Sequence, residues 1–168
     1  MIELRAFERT DAPTVASWID DLDALVTWSG RSGFAWPFDG AQLLAFRDAH
    51  PAHRLLIATD TGGRATGHFM LRPEEPGSVR LGMVLVSPAA RGKGYGLAML
   101  KAALGTAFAD PGVRRVGLAV YAHNRGAARL YERLGFREEE VDAKSIQVGE
   151  DWWTSITMGL SREVWNGA

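Results

Sequence analysis

Three short apolar runs follow one another between residues 53 and 86, and they constrain the fold more than any other part of the chain. The runs read HRLLIATD, RATGHFML and VRLGMVLV, and their length and composition are typical of β-strands. The segments TGG and PEEPGS, which separate the runs, carry the glycine and proline of tight turns. Strands joined by such short turns pair antiparallel, so the sequence predicts a three-stranded meander.

Further strands and helices are predicted on either side of this meander. The segment IELRAF alternates like a strand, and RTDAPTVASWIDDL predicts a helix with Thr10 and Asp11 as capping residues. Residues 26–39 have no regular pattern and predict a loop, after which Asp39 caps a second helix, GAQLLAFRDAH. Beyond the meander, the pattern predicts a helix, a strand, a short helix and two extended segments.

This order of elements predicts one domain of the α/β (α+β) class over residues 1–168. We expect a mixed, mostly antiparallel central sheet of six to seven strands, with helices on both faces. The chain contains no low-complexity linker and no internal repeat that would divide it.

Composition excludes several classes of function. The 19 Lys and Arg residues nearly balance the 20 Asp and Glu residues, which argues against broad nucleic-acid binding because that activity usually needs a basic excess. The chain has no cysteine, so disulfides, thiolate metal sites and a cysteine nucleophile are excluded. Because no apolar run is long enough to span a bilayer and no signal peptide is recognisable, we expect a cytoplasmic protein without a membrane partner.

Three glycines at alternate positions, Gly92, Gly94 and Gly96, lie between an apolar strand and an amphipathic helix in the segment SPAARGKGYGLAMLKAAL. The segment lacks the Gly-Lys-Ser/Thr of a P-loop and the last glycine of the dinucleotide fingerprint G-x-G-x-x-G. It does fit R-x-x-G-x-G, starting at Arg91. Alternate glycines let backbone N–H groups approach an anion at a helix N-terminus, so the segment is either an anion cradle or a turn without a ligand.

A second motif, NRGAARLYERLGF, begins 28 residues after Gly96. It predicts a helix that starts at Asn124, with Tyr131 two turns further along nearly the same face. Taken alone, Asn124 would be an N-cap and Tyr131 a core aromatic residue.

Together, VLVSPAARGKGYGLAMLKAAL and VYAHNRGAARLYERLGF resemble the GNAT superfamily of acetyl-CoA-dependent N-acetyltransferases over residues 79–136. The resemblance implies acetyl-CoA as co-substrate and direct transfer of its acetyl group to a primary amine, either a protein N-terminus or a small molecule. In that family the strand before the glycine loop splays away from its neighbour and pairs with the pantetheine arm. The implied cofactor-binding residues are Val84, Leu85 and Val86 on that strand, Arg91, Gly92, Lys93, Gly94, Tyr95 and Gly96 in the pyrophosphate loop, and Asn124.

The resemblance also implies that Tyr131 is the catalytic general acid. A phenol held near the thioester can protonate the departing thiolate, and an ordinary phenol is protonated at neutral pH. A backbone N–H near Val84 or Val86 would stabilise the negative charge that develops on the carbonyl oxygen.

The group that deprotonates the acceptor ammonium is left open by the sequence. Some family members place a glutamate on the strand before the glycine loop, but VRLGMVLV contains no carboxylate. The candidates are His68 on the preceding strand, Glu150 and Asp151 before the last strand, or a water molecule. His123 is interpreted as a residue that points to solvent.

No metal site is predicted. Two histidines, His50 and His53, lie close together in HPAH, but no carboxylate–histidine set accompanies them, as a zinc site would require.

Choice of the acceptor is expected to reside in the N-terminal helices, the loop between them and the final strands. Aromatic residues of the predicted loop form either a wall over the amine or a plug over the sheet; they are Trp28, Phe34, Trp36 and Phe38. Side chains alternate along a strand, so of Trp152 and Trp153 we expect one in the core and the other exposed or in a pocket.

The chain as a whole is similar to the branch that contains ribosomal-protein N-terminal acetyltransferases. The similarity lies in LRAFERTDAPTVASW, in the PF after the aromatic loop and in the closing W–T–M strand. The same features occur in relatives that acetylate small amines or antibiotics, so the acceptor stays open.

Two other functions compete with catalysis of acetyl transfer. One is a sensor module of the same fold that binds acyl-CoA without catalysis. The other is an ATP-binding domain, which the missing lysine and serine of the P-loop argue against. Exposed aromatic surface would also suit a homodimer.

Overall fold

The computed structural model describes residues 1–166, and its strands form one seven-stranded sheet. The strands are β1 (Glu3–Ala6), β2 (Arg54–Thr59), β3 (Ala65–Pro73), β4 (Ser78–Val86), β5 (Arg115–Tyr121), β6 (Arg137–Val148) and β7 (Asp151–Ser161). Their order is β1-β2-β3-β4-β5-β7-β6, and every neighbouring pair is antiparallel except β4 and β5, which are parallel. The mixed, mostly antiparallel sheet is confirmed, and β2, β3 and β4 form the predicted meander.

Helices cover both faces of the sheet, as predicted. They are α1 (Ala12–Ala16), α2 (Leu22–Ser29), α3 (Gly40–Ala49), α4 (Tyr95–Phe108), α5 (Arg125–Arg133) and α6 (Arg162–Asn166). Side chains of β3 alternate between the faces, so that Phe69 joins the core formed with α4 and α5, whereas Met70 joins the core formed with α1 to α3. No helix within the described residues is long and apolar enough to cross a bilayer.

The single helix predicted over residues 9–22 is wrong. The chain forms a 3-10 turn at Arg9–Asp11 and then α1, and α2 starts only at Leu22. Asp21 causes the new start, because its backbone is extended and its carboxylate accepts the N–H of Ala24 at 2.7 Å. Helix α2 then continues to Ser29, so the first part of the predicted loop is helical.

Two acidic residues that the sequence proposes as caps behave differently. Asp39 caps α3 as predicted, because its carboxylate accepts the N–H of Gln42 at 3.0 Å. Asp11 instead pairs with Arg5, both N–O distances being 2.7 Å, and accepts the N–H of Glu8 at 2.8 Å. Burial works to raise the pKa of the Asp11 carboxyl, but the bonds from Arg5 and Glu8 outweigh it, and the net pKa is lowered.

Strands β4 and β5 are paired at one end only. Residues 78–80 pair with residues 115–117, and beyond Arg80 the two strands are no longer paired. On its other side, β4 carries a bulge in which Met83 and Val84 lie opposite the single residue Phe69 of β3. The φ angle of Met83 is 49°, a conformation that residues other than glycine rarely adopt. The unpaired stretch of β4 and β5 is where the candidate site lies.

Candidate active site

A cleft of about 1440 Å³ lies between the unpaired parts of β4 and β5. Residues 81–86 of β4 line it on one side, and Ala119 and Val120 of β5 line it on the other. The glycine loop and residues of α4 and α5 also line the cleft, as do residues of α2 and the first residues of β7. The site is therefore assembled from segments that are far apart in the sequence.

The three glycines of the loop differ in what a side chain would meet at each position. Gly92 and Gly94 have φ angles of 71° and 81°, and a Cβ on either would meet no atom within 4 Å, so backbone conformation favours glycine there. Gly96 lies in the first turn of α4, where a Cβ would be 3.4 Å from Cγ2 of Val86. This distance is an ordinary van der Waals contact, so α4 begins close to β4 without requiring glycine at this position, and the helix N-terminus is available to an anion.

Most of the site residues predicted from the sequence line this cleft. They are Val84, Leu85, Val86, Arg91, Gly92, Gly94, Gly96, Asn124 and Tyr131. Lys93 and Tyr95 do not line it, and the Lys93 ammonium donates to the carbonyl of Ala89 at 2.8 Å. Arg91 donates through Nε to the carbonyl of Val86 at 3.2 Å and so ties the loop to the end of β4.

Asn124 and Tyr131 have structural roles and also line the cleft. The Asn124 side chain caps α5, where it accepts the N–H of Ala127 at 3.5 Å, a long contact. The Tyr131 ring is 6% exposed and packs edge-on against Phe136, with 5.8 Å between ring centroids. Burial raises the pKa of the Tyr131 hydroxyl, so the phenol stays protonated well above neutral pH.

The bulge in β4 is held by a side chain from α2. The buried indole N–H of Trp28 donates to the carbonyl of Met83 at 2.8 Å. This bond satisfies a backbone group at the residue with the positive φ angle, and it fixes the shape of β4 where the strand lines the cleft. No pattern in the sequence around Trp28 indicates this role.

The aromatic residues that follow α2 mostly form a plug. Phe34 and Phe38 pack against Trp28, with ring centroids 5.8 and 5.5 Å away, in the core beneath α1 to α3. Trp36 is exposed. Of these four aromatic residues, Trp28 is the one that also lines the cleft.

His68 is wrong as a candidate base, because it lies in the core and does not line the cleft. The ring is fully buried, and its Nδ1–H donates to the carbonyl of Leu56 at 3.0 Å. Desolvation lowers the pKa of His68 to about 4, although the Leu56 carbonyl and the charge of Asp11 act in the opposite direction. Its Nε2 has no hydrogen-bond partner among residues 1–166. Glu150 also lies away from the cleft, in the exposed turn before β7, whereas Asp151 lines it.

His123 is exposed, as the sequence suggested, but its ring lines the cleft and is held on three sides. Its Nε2 lies 3.2 Å from the hydroxyl oxygen of Thr27 on α2. The ring packs edge-on against Trp153 and lies parallel to Tyr121, at centroid distances of 4.5 and 5.9 Å. No signal in the sequence joins residues 27 and 123, which are 96 positions apart.

Both tryptophans at the start of β7 line the cleft. Trp152 is half exposed, and Trp153 is partly buried against His123 and Tyr121. Neither belongs to one of the two cores, so the expectation that one of them is a core residue is wrong.

The two histidines of HPAH pack against each other. The rings of His50 and His53 are stacked with centroids 4.7 Å apart, and Nδ1–H of His50 donates to the carbonyl of Phe46 at 2.8 Å. Within the part of the chain that the structure describes, no group of three His, Asp or Glu side chains could hold a metal ion.

Comparison with known proteins gives a family and a fold. The model of the acetyltransferase (GNAT) family matches residues 19–136. A mycothiol acetyltransferase of Salinispora tropica is 33% identical over 79% of this chain, and an uncharacterised N-acetyltransferase of Methanocaldococcus jannaschii is 29% identical over 78% of this chain and 81% of its own length. The crystal structure of spermidine N-acetyltransferase from Vibrio cholerae in complex with CoA and spermine superimposes with a TM-score of 0.84, at 21% identity, over 98% of each chain.

A second mycothiol acetyltransferase, from Salinispora arenicola, is 38% identical over 69% of this chain. The chain spans 59% of the length of the Salinispora tropica relative and 41% of the length of the Salinispora arenicola relative.

Proposed function

Because this chain belongs to the GNAT acetyltransferase family, we propose that it transfers the acetyl group of acetyl-CoA directly to a primary amine while both are bound. The observation that carries the proposal is the cleft at the divergence of β4 and β5, where the glycine loop and Tyr131 meet. A glycine-rich turn without a ligand would need neither a separated strand pair nor a buried tyrosine beside it.

The residues of the cleft suit the successive parts of acetyl-CoA. Beyond Arg80, β4 has no pairing with β5, so the backbone groups of residues 84–86 are available to the amides of the pantetheine arm. The glycine loop and the start of α4 offer N–H groups to the pyrophosphate, and Arg91 adds a positive charge nearby. Asn124, at the start of α5, would hydrogen-bond the arm.

The reaction forms one C–N bond and breaks one C–S bond. The acceptor ammonium first loses a proton, and the lone pair of the amine nitrogen then attacks the thioester carbonyl. A backbone N–H near Val84 or Val86 stabilises the negative charge on the carbonyl oxygen. The thiolate leaves with the proton of Tyr131, and the proton that the nitrogen releases on becoming an amide restores the phenol.

The burial of Tyr131 is compatible with this role. Burial raises the pKa of the phenol, which keeps the proton in place until it is needed. The same buried surroundings also disfavour a free CoA thiolate. Proton transfer from Tyr131 to this thiolate therefore replaces a buried thiolate with a buried phenolate and adds no further charge. The fixed ring position, against Phe136, supplies the orientation that the transfer needs.

The acceptor is a primary amine of either class, a peptide N-terminus or a small molecule. The names of the relatives include mycothiol acetyltransferase and spermidine N-acetyltransferase, which favours small-molecule amines as the first acceptors to test. Membership of the branch with ribosomal-protein N-terminal acetyltransferases, a cytoplasmic location and a homodimeric state stay predictions from the sequence.

A sensor that binds acyl-CoA without catalysis is the second candidate function. It would use the same glycine loop and β4 edge, but it would not need a proton donor. The position of Tyr131 in the lining of the cleft favours the enzyme over the sensor.

Release of CoA thiol from acetyl-CoA in the presence of different amines tests the proposal. Spermidine, an aminoglycoside and short peptides with a free N-terminus form the panel, and the absence of cysteine from the chain keeps the protein's own thiol signal at zero. We expect at least one amine to accelerate release, and Tyr131→Phe to lower kcat by about 10²-fold while the Kd for acetyl-CoA, measured by calorimetry, is retained. Binding of acetyl-CoA without turnover of any amine would favour the sensor, and binding of ATP without CoA would refute both functions.

A further inference from the structure

Few side chains of the cleft could take a proton from an acceptor ammonium. Strand β4 carries no acidic or histidine side chain along its length. Among residues 1–166, the carboxylates and imidazoles that line the cleft are those of Asp23, His123 and Asp151. The arginines that line it are already protonated and cannot act as bases.

Within residues 1–166, the hydrogen bond of the His123 side chain involves Nε2, which leaves Nδ1 to accept a proton. A neutral imidazole has one donor and one acceptor nitrogen, and a threonine hydroxyl can accept the N–H of Nε2 at the observed 3.2 Å. The lone pair of Nδ1 is then the acceptor. When Nδ1 takes a proton, the bond to Thr27 persists, because Nε2 remains a donor and the hydroxyl remains an acceptor. The packing of Trp153 and Tyr121 keeps the ring in this orientation.

We propose that His123 is the general base of the acetyl transfer and that Thr27 is the residue that positions it. This inference rests on the proposed function. His123 immediately precedes Asn124, and both residues line the cleft together with Tyr131, so a base, a cofactor contact and an acid come from one β5–α5 segment. The ring of His123 is fixed by Thr27, Trp153 and Tyr121, with Nδ1 able to accept a proton, and this geometry favours it as the base.

The proton balance closes with these groups. The ammonium gives its first proton to Nδ1 of His123, and the resulting amine attacks the thioester. The exposed imidazolium then releases that proton to water. The thiolate takes the proton of Tyr131, the nitrogen's second proton returns the phenol to its neutral form, and the products are an amide, CoA thiol and one released proton.

Several charged or titratable residues lie on or beside the elements that contribute to this side of the cleft. They are Asp23 on α2, Arg31 just after α2, Tyr121 on β5, Arg125 at the start of α5, and Asp151 at the start of β7. Of these, Asp151 is the competing base, because it also lines the cleft.

The pH dependence of kcat/KM, measured from thiol release with the best amine of the panel, tests the assignment. For the unchanged chain we expect kcat/KM to fall at acidic pH as the base is protonated. His123→Gln should lower kcat/KM at pH 7 by about 10²-fold and remove this acidic fall, with the Kd for acetyl-CoA unchanged. Added imidazole should restore part of the activity of His123→Ala, and Thr27→Val should lower kcat by about fivefold while the acidic fall remains.

Two control variants separate this role from general effects on the protein. His50→Gln removes an exposed histidine outside the cleft and should leave the profile unchanged. Asp151→Asn should still show the decrease of kcat/KM at acidic pH. If this decrease is lost in Asp151→Asn alone, the base is the Asp151 carboxylate and the proposal is overturned. Full activity of His123→Gln with an unchanged profile would overturn it as well. An unchanged chain that binds acetyl-CoA but acetylates no amine would instead refute the proposed function, and the inference with it.

Discussion

The buried imidazole of His68 predicts a loss of stability in mild acid that can be measured against a matched variant. The ring is sealed between Phe7 and Trp28, with centroid distances of 5.7 and 5.9 Å, and desolvation lowers the pKa of His68 to about 4. Well above pH 6.5 the imidazole is neutral in both the folded and the unfolded chain, so its titration has no effect on stability there. As the pH falls from 6.5 towards 4, the unfolded chain binds a proton that the folded chain does not bind, so the free energy of unfolding decreases.

The size of this effect follows from the two pKa values. The difference between an ordinary imidazole near 6.5 and His68 near 4 corresponds to about 3 kcal/mol of unfolding free energy once the pH is below both values. At pH 4.5 most of it, about 2.5 kcal/mol, is already lost. Carboxyl groups with a lowered pKa, such as Asp11, act at lower pH, because the stability that they contribute is lost only as the pH falls through their own folded-state pKa.

Urea unfolding between pH 7.5 and pH 4.5 measures the effect. In His68→Asn the amide can still donate to the Leu56 carbonyl, but it cannot titrate. Between pH 7.5 and pH 4.5 the free energy of unfolding of this variant should therefore decrease by about 2.5 kcal/mol less than that of the unchanged chain, whatever its value at pH 7.5. His53→Asn is the control, since the pKa of His53 is also lowered by desolvation and by His50 but its ring is only partly buried, so its effect should be smaller. If the unchanged chain and His68→Asn lose the same free energy, to within about 0.5 kcal/mol, the reasoning about His68 is refuted.

Two further predictions concern the walls of the cleft. Trp28→Phe leaves the buried carbonyl of Met83 without its donor. We expect this variant to lose about 1–3 kcal/mol of unfolding free energy in urea and to have a lower kcat. An unchanged kcat would show that the shape of the bulge does not affect catalysis. Gly94→Ala forces an alanine to a φ of 81° and should cost about 1–2 kcal/mol and raise the Kd for acetyl-CoA in calorimetry. Gly96→Ala, whose Cβ would be 3.4 Å from Val86, should affect binding less, and equal effects of the two alanines would contradict the role assigned to the positive φ angle.

The sheet and the glycine loop could be predicted from the sequence because their signals are local. Alternation and turn residues mark the meander between residues 53 and 86, and only glycine readily adopts the φ angles observed at Gly92 and Gly94. The helix predicted over residues 9–22 failed because Val15, Trp18 and Ile19 have helical spacing and are all buried, yet the chain leaves the helix before Asp21. Spacing predicts which side chains are buried, but here a capping carboxylate decides where the helix begins again.

The contacts that α2 makes along the cleft could not be predicted, because the partners are distant in the sequence. Trp28 bonds to the backbone of Met83, 55 positions away, and nothing in the identity of Met83 marks its carbonyl as an acceptor. Thr27 meets His123 only because β5 ends beside α2. The sequence could place Asn124 at the start of α5 and Tyr131 along it, because the spacing of this motif is fixed within one helix.

The last turn of α2 connects the two walls of the cleft. Two consecutive residues, Thr27 and Trp28, bond to opposite sides of the divergence, one to His123 after β5 and the other to Met83 in β4. In the proposed function, α2 and the start of β7 border the acceptor side of the cleft, and the glycine loop borders the cofactor side. Because the proteins to which this chain is similar carry names as different as mycothiol acetyltransferase and spermidine N-acetyltransferase, we expect differences among their acceptors to lie in α2 and β7 rather than in the glycine loop.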